Sequence, residues 1–302
     1  MANTELPPGE ALALLRWLVE SGADEAIGEE PVNRFVARTN PIPSPLAGEG
    51  KSNAKRSTWE GEIARTPPPP SRSAARPLPR GEAEQIRETS GDDIGDAMAI
   101  AAAAATLAEL KTALENFDGC ALKKFAANTV FADGVEGAPI LCIGEAPGHE
   151  EDRAGLPFVG RAGRLLDKML APIGLDRKRN VYIVNVLPWR PPDNRNPDPV
   201  EVAKCIPFLR RHIELADPKI IVLLGAVAAR HVMGLNDGIM KSRGRWMEYR
   251  IGTRMVPILP TLHPAYLLRQ PAHKKLAWRD LQALEARMTE LKLDVAARAD
   301  TG

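Results

Sequence analysis

The sequence has few cysteines, and this scarcity excludes one class of protein. Three cysteines occur in 302 residues, at Cys120, Cys142 and Cys205. An odd and widely spaced set does not build a disulfide framework, so we expect a reducing, cytoplasmic location. No apolar run approaches the length that crosses a bilayer, and the first residues lack the basic start of a signal peptide. The sequence therefore predicts neither a membrane protein nor an exported one.

The chain also lacks a strong charge of either sign. Its formal net charge is +1, with 44% hydrophobic and 26% charged residues, which is ordinary for a globular protein. A strongly basic surface is the usual sign of a nucleic-acid partner, so any anion site on this chain has to be local. The length is sufficient for one sizeable core, and we expect a monomer without membrane contact.

Several motifs of common enzyme chemistry are missing. The first predicted strand is not followed by Gly-x-Gly-x-x-Gly, which argues against a dinucleotide site. There is no Gly-Lys-Ser/Thr phosphate loop and no serine on a nucleophile elbow. Cysteine and histidine do not occur together at zinc-ligand spacing, which disfavours a zinc deaminase.

Composition divides the chain into four parts. Residues 1–38 form an N-terminal helical segment, with an amphipathic helix predicted over 9–21. Residues 39–90 are rich in proline and poor in large apolar side chains, which predicts a disordered insert. A tolerated surface insertion explains it most simply, and a loose basic tether to DNA is the alternative. We predict a catalytic domain over 91–295 and a tail over 296–302.

Apolar strands alternate with amphipathic helices from residue 137 onward, after an alanine-rich helix predicted over 93–116. The predicted strands are 139–143, 181–186, 220–224 and 255–259, and the predicted helices are 161–170, 199–215, 226–233 and 273–293. Such alternation, with continuously apolar strands, predicts an α/β fold with helices on both faces of the sheet. We expect a three-layer αβα sandwich whose mostly parallel, four-stranded sheet has every carboxyl end at one rim.

Polar and aromatic side chains occur where these strands end. Glu145 follows the first strand, Asn185 lies near the end of the second and His263 follows the fourth, while Phe158 lies between the first two. Each has a simpler explanation, as a turn cap, a residue before Pro264 or a core residue. Their convergence on one edge nevertheless favours a ligand site. An amide can read a base edge, an aromatic ring can stack on the base, and a histidine can stabilise negative charge.

These residues carry a family resemblance over about residues 117–285. The motifs are Gly144-Glu-Ala-Pro-Gly148, Glu151-Asp152, Gly155-x-Pro-Phe158-Val-Gly-x-Ala-Gly163, Asn185-Val-x-x-x-Arg-Pro-Pro-x-Asn-Arg195 and His263-Pro-Ala-Tyr-Leu-Leu-Arg269. They closely resemble those of the family 4 uracil-DNA glycosylases, in the same order. The resemblance implies the αβα fold of that superfamily, with a four-stranded parallel sheet, and uracil-containing DNA as the partner.

The resemblance also implies a reaction and a set of roles. Uracil is flipped from the stack and its N-glycosidic bond to deoxyribose is hydrolysed. Phe158 stacks on the base, Asn185 pairs with its polar edge, and His263 steadies the uracil anion. The segment with Gly144, Ala146, Pro147 and Gly148 contacts the base through its backbone. Glu145 and Glu151 both stay open as the group that handles water, and the absence of a lysine from the motifs implies a monofunctional enzyme.

Four residues are implied to contact DNA. Leu267 is expected to fill the gap left by the flipped base, with Leu268 beside it, and Arg269 to hold the backbone. Arg195 is a further candidate, although the arginines around it could equally form a solvated face.

The chain departs from the family at its iron–sulfur ligands. Family 4 members bind a four-iron, four-sulfur cluster through four cysteines, whose places here are Phe117, Cys120, Trp189 and Cys205. Such a cluster needs four thiolates, so we predict that it is absent and that the two aromatic residues fill its cavity.

Two rival interpretations stay open at this point. A related branch traps uracil-DNA covalently through a histidine in an added basic loop, and no such loop follows Arg195. A paralogue that lost activity together with its cluster is the other rival, although Glu145, Asn185 and His263 are all intact.

Overall fold

Short strands of aliphatic residues form the centre of the fold, which we describe from a computed structural model over residues 93–293. The strands are β1 (Asp133–Gly134), β2 (Ile140–Gly144), β3 (Val181–Asn185), β4 (Ile220–Leu224), β5 (Met247–Ile251) and β6 (Arg254–Thr261). All residues of β2, β3 and β4 are buried, as expected for parallel strands covered on both faces. The helix predicted over 9–21, the insert 39–90 and the tail 296–302 lie outside the described residues.

The six strands pair in the order β1-β3-β2-β4-β6-β5. The central four, β3, β2, β4 and β6, are parallel, and this confirms the predicted parallel core. The register sets Gly144 opposite Asn185 and Leu224 opposite Thr261. The carboxyl ends of β2, β3, β4 and β6 therefore meet at one rim, as the sequence predicted.

Two antiparallel edge strands were not predicted and correct the four-stranded sheet to six strands. β1 has only two residues and pairs with β3. β5 pairs with β6 in a hairpin that turns at Gly252 and Thr253. Its residues alternate between partly buried and exposed, which is the pattern of an edge strand with one covered face.

Helices cover the sheet on both sides. They are α1 (residues 93–103), α2 (Leu107–Asn116), α3 (His149–Ala154), α4 (Arg161–Leu170), α5 (Pro199–Ala216), α6 (Ala226–Met233), α7 (Ile239–Ser242), α8 (Pro264–Arg269) and α9 (Lys274–Glu290). The predicted bounds 161–170 and 226–233 are confirmed. Within the described range, no helix combines the length and apolar character that a membrane span requires.

Alternate strand residues face two separate hydrophobic clusters, which gives the sandwich its three layers. Leu141 and Ile143 of β2 pack with α1, α2, α5 and α6 on one side. Ile140 and Cys142 pack with α4, α8 and α9 on the other. This period-two division follows from the pleat of a strand, and it fixes which face each helix covers.

The predicted helix over 93–116 is wrong in one respect, because it is two helices. Thr106 adopts an extended backbone and its hydroxyl accepts a hydrogen bond from the Glu109 amide at 3.1 Å, so it caps α2. The carbonyl of Ala104, freed by the break, accepts a hydrogen bond from the Arg211 guanidinium at 2.9 Å. Alanine content alone predicted continuity, whereas the capping threonine and the arginine stabilise the break.

Candidate active site

A cavity of about 230 Å³ opens at the rim where β2, β3 and β6 end. Nine of the predicted site residues line it: Glu145, Ala146, Pro147, Gly148, Glu151, Phe158, Asn185, Arg195 and His263. Four further lining residues were not predicted: Ala162, Pro191, Asn194 and Ala265. All four are positions of the motifs that carry the family resemblance, but none of them was assigned a role. The cavity thus unites side chains from three separate strands.

Phe158 forms one wall of the cavity with its ring close to the sheet. The side chain is buried, and its ring centroid lies 5.5 Å from that of His263 at an interplanar angle of 32°. A Cβ atom added to Gly144 would lie 2.5 Å from the Phe158 ring, so only glycine at the end of β2 permits this approach. The flat ring against a narrow space is suited to stacking on another flat ring.

Asn185 ends β3 and presents a buried amide without a partner. Its side chain is 7% exposed, and its Oδ1 atom has no hydrogen bond in the described structure. Buried amide oxygens are normally hydrogen-bonded, so a ligand that supplies the missing partner is the simplest explanation. Asn185 therefore has the position and the unused capacity to read a polar ligand edge.

His263 is held with one ring nitrogen committed and the other available. It caps α8, and its Nδ1 atom accepts a hydrogen bond from the Ala265 amide at 3.1 Å. In a neutral ring the proton must then sit on Nε2, which is free to donate. Burial lowers the pKa of His263 to about 4, and the positive charge of Arg269 acts in the same direction. At neutral pH the residue is a neutral hydrogen-bond donor.

The structure separates the two glutamates that the sequence left as alternatives. Glu151 accepts three backbone hydrogen bonds, from Gly148 at 3.1 Å, Val159 at 3.1 Å and Gly160 at 2.8 Å. Three of the roughly four acceptor sites of this carboxylate are occupied by the loop that it holds together, which gives Glu151 a structural role. The prediction that Glu151 acts on water is therefore disfavoured.

Glu145 has the opposite surroundings. It lines the cavity, and within the described structure no hydrogen bond reaches its carboxylate. Burial raises the pKa of the Glu145 carboxyl above its usual value, while the charge of Arg269 opposes this. A partly buried, unpaired carboxylate is the kind of group that accepts a proton from water.

Leu267 is buried in the structure, and its predicted contact with DNA stays a prediction. The segment Pro264–Arg269 forms helix α8. One helical turn after His263, the Leu267 side chain is 0% exposed and packs into the cluster shared with α4 and α9. Leu268 is partly buried against the same cluster, and Arg269 is exposed. An apolar wedge at Leu267 would require removing this side chain from the core.

Arg195 lines the cavity, yet its charge is compensated. Its guanidinium donates two hydrogen bonds to Glu201, at 2.9 and 2.5 Å. That Arg195 contacts DNA stays a prediction, and the structure pairs this arginine with Glu201. The positive charge of Arg269 lowers the pKa of both Glu145 and His263, so it contributes to the electrostatics of the cavity.

The four cluster places lie together in the hydrophobic core. Cys120 and Cys205 are buried with their Sγ atoms 4.0 Å apart. Phe117 packs on Phe208 with ring centroids 5.1 Å apart, and the buried indole of Trp189 donates to the Thr129 hydroxyl at 3.0 Å. Two thiols and two packed aromatic rings do not match the four thiolates of a four-iron cluster, so the residues do not fit that group.

The fold and the cavity define a class of protein, which comparison with known families identifies. Residues 131–282 match the family model described as the uracil DNA glycosylase superfamily. The fold class expected for that superfamily agrees with the αβα architecture and its parallel sheet. The chain is a member of this superfamily.

Individual relatives narrow the class to one family. The chain is 38% identical over 184 residues to a type-4 uracil-DNA glycosylase of Sulfurisphaera tokodaii, covering 59% of this chain and 83% of the relative. It is 45% identical over 156 residues to one of Archaeoglobus fulgidus, covering 50% and 78%. It is 43% identical over 156 residues to one of Thermotoga maritima, which covers 51% of this chain and 79% of the relative. The chain belongs to the type-4 uracil-DNA glycosylase family, as the sequence motifs predicted.

Proposed function

We propose that the chain is a monofunctional glycosylase that hydrolyses the N-glycosidic bond of deoxyuridine in DNA, releasing uracil and leaving an abasic site for base excision repair. The observation that carries this proposal is the cavity in which Phe158, Asn185 and His263 converge. An aromatic wall, an unpartnered amide and a neutral donor form a site for a flat, polar base. The family assignment supports the same substrate.

Base recognition follows from the two buried side chains. Uracil, extruded from the duplex, stacks on the Phe158 ring. The Asn185 amide hydrogen-bonds with the N3–H and O4 edge, which satisfies its unpartnered oxygen. The backbone between Glu145 and Ala146 faces the other carbonyl, whereas the Gly148 amide is already bonded to Glu151.

Bond cleavage places negative charge on uracil, and His263 is positioned to receive it. As the bond between C1′ and N1 breaks, the electron pair leaves with uracil and charge develops on its O2 atom. The Nε2 proton of neutral His263 donates a hydrogen bond to that oxygen, as an oxyanion-stabilising group. Water then adds to C1′, and the proton that it loses passes to the Glu145 carboxylate and on to solvent.

Hydrolysis by water agrees with the side chains at the cavity. No lysine is among the residues that line it, so the described site offers no amine to attack C1′. We further propose that the enzyme acts in the cytoplasm, since its three cysteines are free thiols. The exposed Arg269 is proposed to hold a DNA phosphate beside the cavity.

Glu145→Gln is expected to slow uracil release by roughly 100-fold, the low end of the range for a general base. The carboxyl must be ionised to take a proton, and its pKa lies above the ordinary value of 4.5. The wild-type rate should therefore rise with pH through that raised pKa, and the variant should lose this rise. His263 adds no such dependence above about pH 4, where it is neutral.

Single-turnover rates measured from about pH 4.5 up to about pH 8 test for this rise with pH. Glu150→Gln is the matched control, since Glu150 is exposed on α3 and pairs only loosely with Arg164 at 3.6 Å. A Glu145→Gln enzyme with the rate and the pH dependence of the wild type would exclude Glu145 as the base.

We also propose that the enzyme works without an iron–sulfur cluster. Protein purified without oxygen is expected to contain far less than one iron per chain and to show no broad visible absorbance. The variant with Phe117→Cys and Trp189→Cys restores four thiols at the four places, and it tests whether the procedure retains iron when ligands are available. Iron and sulfide near four per chain in the unmodified protein would overturn the proposal.

A further inference from the structure

The backbone of Phe158 adopts a conformation that side chains rarely accept. Its φ angle is 54°, in the left-handed region that favours glycine. Residues in this region persist only when the surrounding structure fixes them, and they concentrate at functional sites. The orientation of the aromatic wall therefore depends on whatever holds this one peptide.

Contacts from two sides hold the Phe158 peptide in this conformation. Glu151 accepts hydrogen bonds from the amides of Val159 and Gly160, just after Phe158. Arg177 donates to the carbonyl of Phe158 at 2.8 Å and to that of Pro157 at 3.3 Å. Gly163 of α4 lies against the Phe158 carbonyl, and a Cβ atom at this position would collide with it. The glycine therefore leaves room for that carbonyl.

Arg177 is itself fixed by two carboxylates. Its Nη1 atom lies 2.7 Å from Asp133 Oδ2, and its Nε atom donates to Asp167 Oδ1 at 2.8 Å. The side chain is only 13% exposed. Asp133 belongs to β1, the two-residue edge strand on β3, and Asp167 belongs to α4. Strand, helix and loop are thereby joined at one guanidinium.

We propose that Arg177 is a positioning residue of the glycosylase, which fixes the Pro157 and Phe158 carbonyls so that the Phe158 ring stands where the base stacks. Arg177 does not line the cavity and acts only through Phe158. This inference rests on the proposed function, because it assigns Phe158 to base stacking.

The arrangement requires arginine in particular. Four acceptors surround the group: two carboxylates and two carbonyls. The planar guanidinium has five N–H donors in a fixed fork, whereas the lysine ammonium is a point charge with three donors. Lysine at this position keeps the charge but cannot hold both carbonyls and both carboxylates in one geometry.

Arg177→Lys tests the proposal, with Arg254→Lys as the matched control. Arg254 also joins a carboxylate, Asp217, to a neighbouring carbonyl, that of Pro218 at 3.1 Å. Asp217 is likewise left-handed, with φ 44°. This second arginine lies at the opposite end of the sheet, where β4 and β6 begin. The two variants therefore remove similar contacts at different distances from the cavity.

Arg177→Lys is expected to lower kcat/KM for uracil release by about 10- to 100-fold, since a small misplacement of a binding group has effects of this size. It should also raise the inhibition constant of free uracil. Arg254→Lys should leave kcat/KM and the inhibition constant within about twofold of the wild type. This should hold even if it lowers the melting temperature as much as Arg177→Lys does. If Arg177→Lys does not fold, Asp167→Asn, which weakens the hold on Arg177, is expected to shift both quantities in the same direction.

A double-mutant cycle separates positioning from general structure. If Arg177 acts through the ring, Arg177→Lys should cost less than about twofold once Phe158 is already alanine. The inference would be overturned if the losses of activity caused by Arg177→Lys and Phe158→Ala simply multiply in the double variant. Wild-type activity in Arg177→Lys would overturn it as well. Failure of the wild-type chain to release uracil would instead overturn the proposed function, so the two failures are distinguishable.

Discussion

Replacing His263 with alanine is expected to lower the rate of uracil release by about 100- to 1,000-fold, the usual effect of removing one oxyanion-stabilising donor. The hydrogen bond from Nε2 matters most when uracil carries negative charge, so the effect should fall on the chemical step. Nδ1 is already bonded to the Ala265 amide, which fixes the proton on the atom that donates.

Single-turnover kinetics with enzyme in excess over uracil-containing DNA isolate that step. His231→Ala is the control, since His231 lies on α6 and does not line the cavity. Removal of His263 should change the rate far more than it changes DNA binding. A His263→Ala enzyme within about threefold of the wild-type rate would show that the assignment is wrong.

Asn185→Ala is expected to have a comparable effect, about 100-fold or more, because the polar edge of a desolvated base loses its partner. Asn185→Asp should do no better, since an ionised carboxylate offers only acceptors and cannot donate to the O4 atom. The loss should extend to the affinity for free uracil, which distinguishes base recognition from leaving-group stabilisation.

Uracil release and uracil inhibition, measured for the same variants, check this expectation. Asn116→Ala is a suitable control, because Asn116 is exposed at the end of α2 and does not line the cavity. Unchanged uracil affinity in Asn185→Ala would contradict the proposed role, whatever the rate.

The helices and central strands were predictable where a local pattern determines the structure. The bounds of α4, α6 and β4 match the prediction because each amphipathic stripe or run of branched residues stops at a glycine or just before Pro172. The edge strands were not predictable in the same way. Two residues at β1 show no periodicity, and β5 forms because β6 offers it a free edge.

The site was predictable in its principal residues and not in its details. Asn185 ends a buried strand and His263 follows another by two residues, and strand ends meet at one rim in any parallel sheet. The roles of Glu145 and Glu151 depend on which backbone amides a loop directs inward, and Leu267 depends on whether its segment is helix or loop. Neither property is a local feature of the sequence.

Arg177 shows what sequence reasoning could not find. Its contacts lie 10, 19, 20 and 44 residues away, and no motif marks it. Only the folded chain brings Asp133, Asp167 and the two loop carbonyls into one cluster around the guanidinium, since a strand, a helix and a loop each contribute to it.

Multiple-turnover excision is the measurement that tests the central claim most directly. The full chain is incubated with a large excess of DNA that contains a single deoxyuridine. Abasic sites, free uracil and covalent protein–DNA adducts are then quantified. The account predicts several uracils and abasic sites per enzyme molecule, and no adduct that survives denaturation. One covalent adduct per chain without further product, or binding of the uracil-containing DNA without release of uracil, would contradict it.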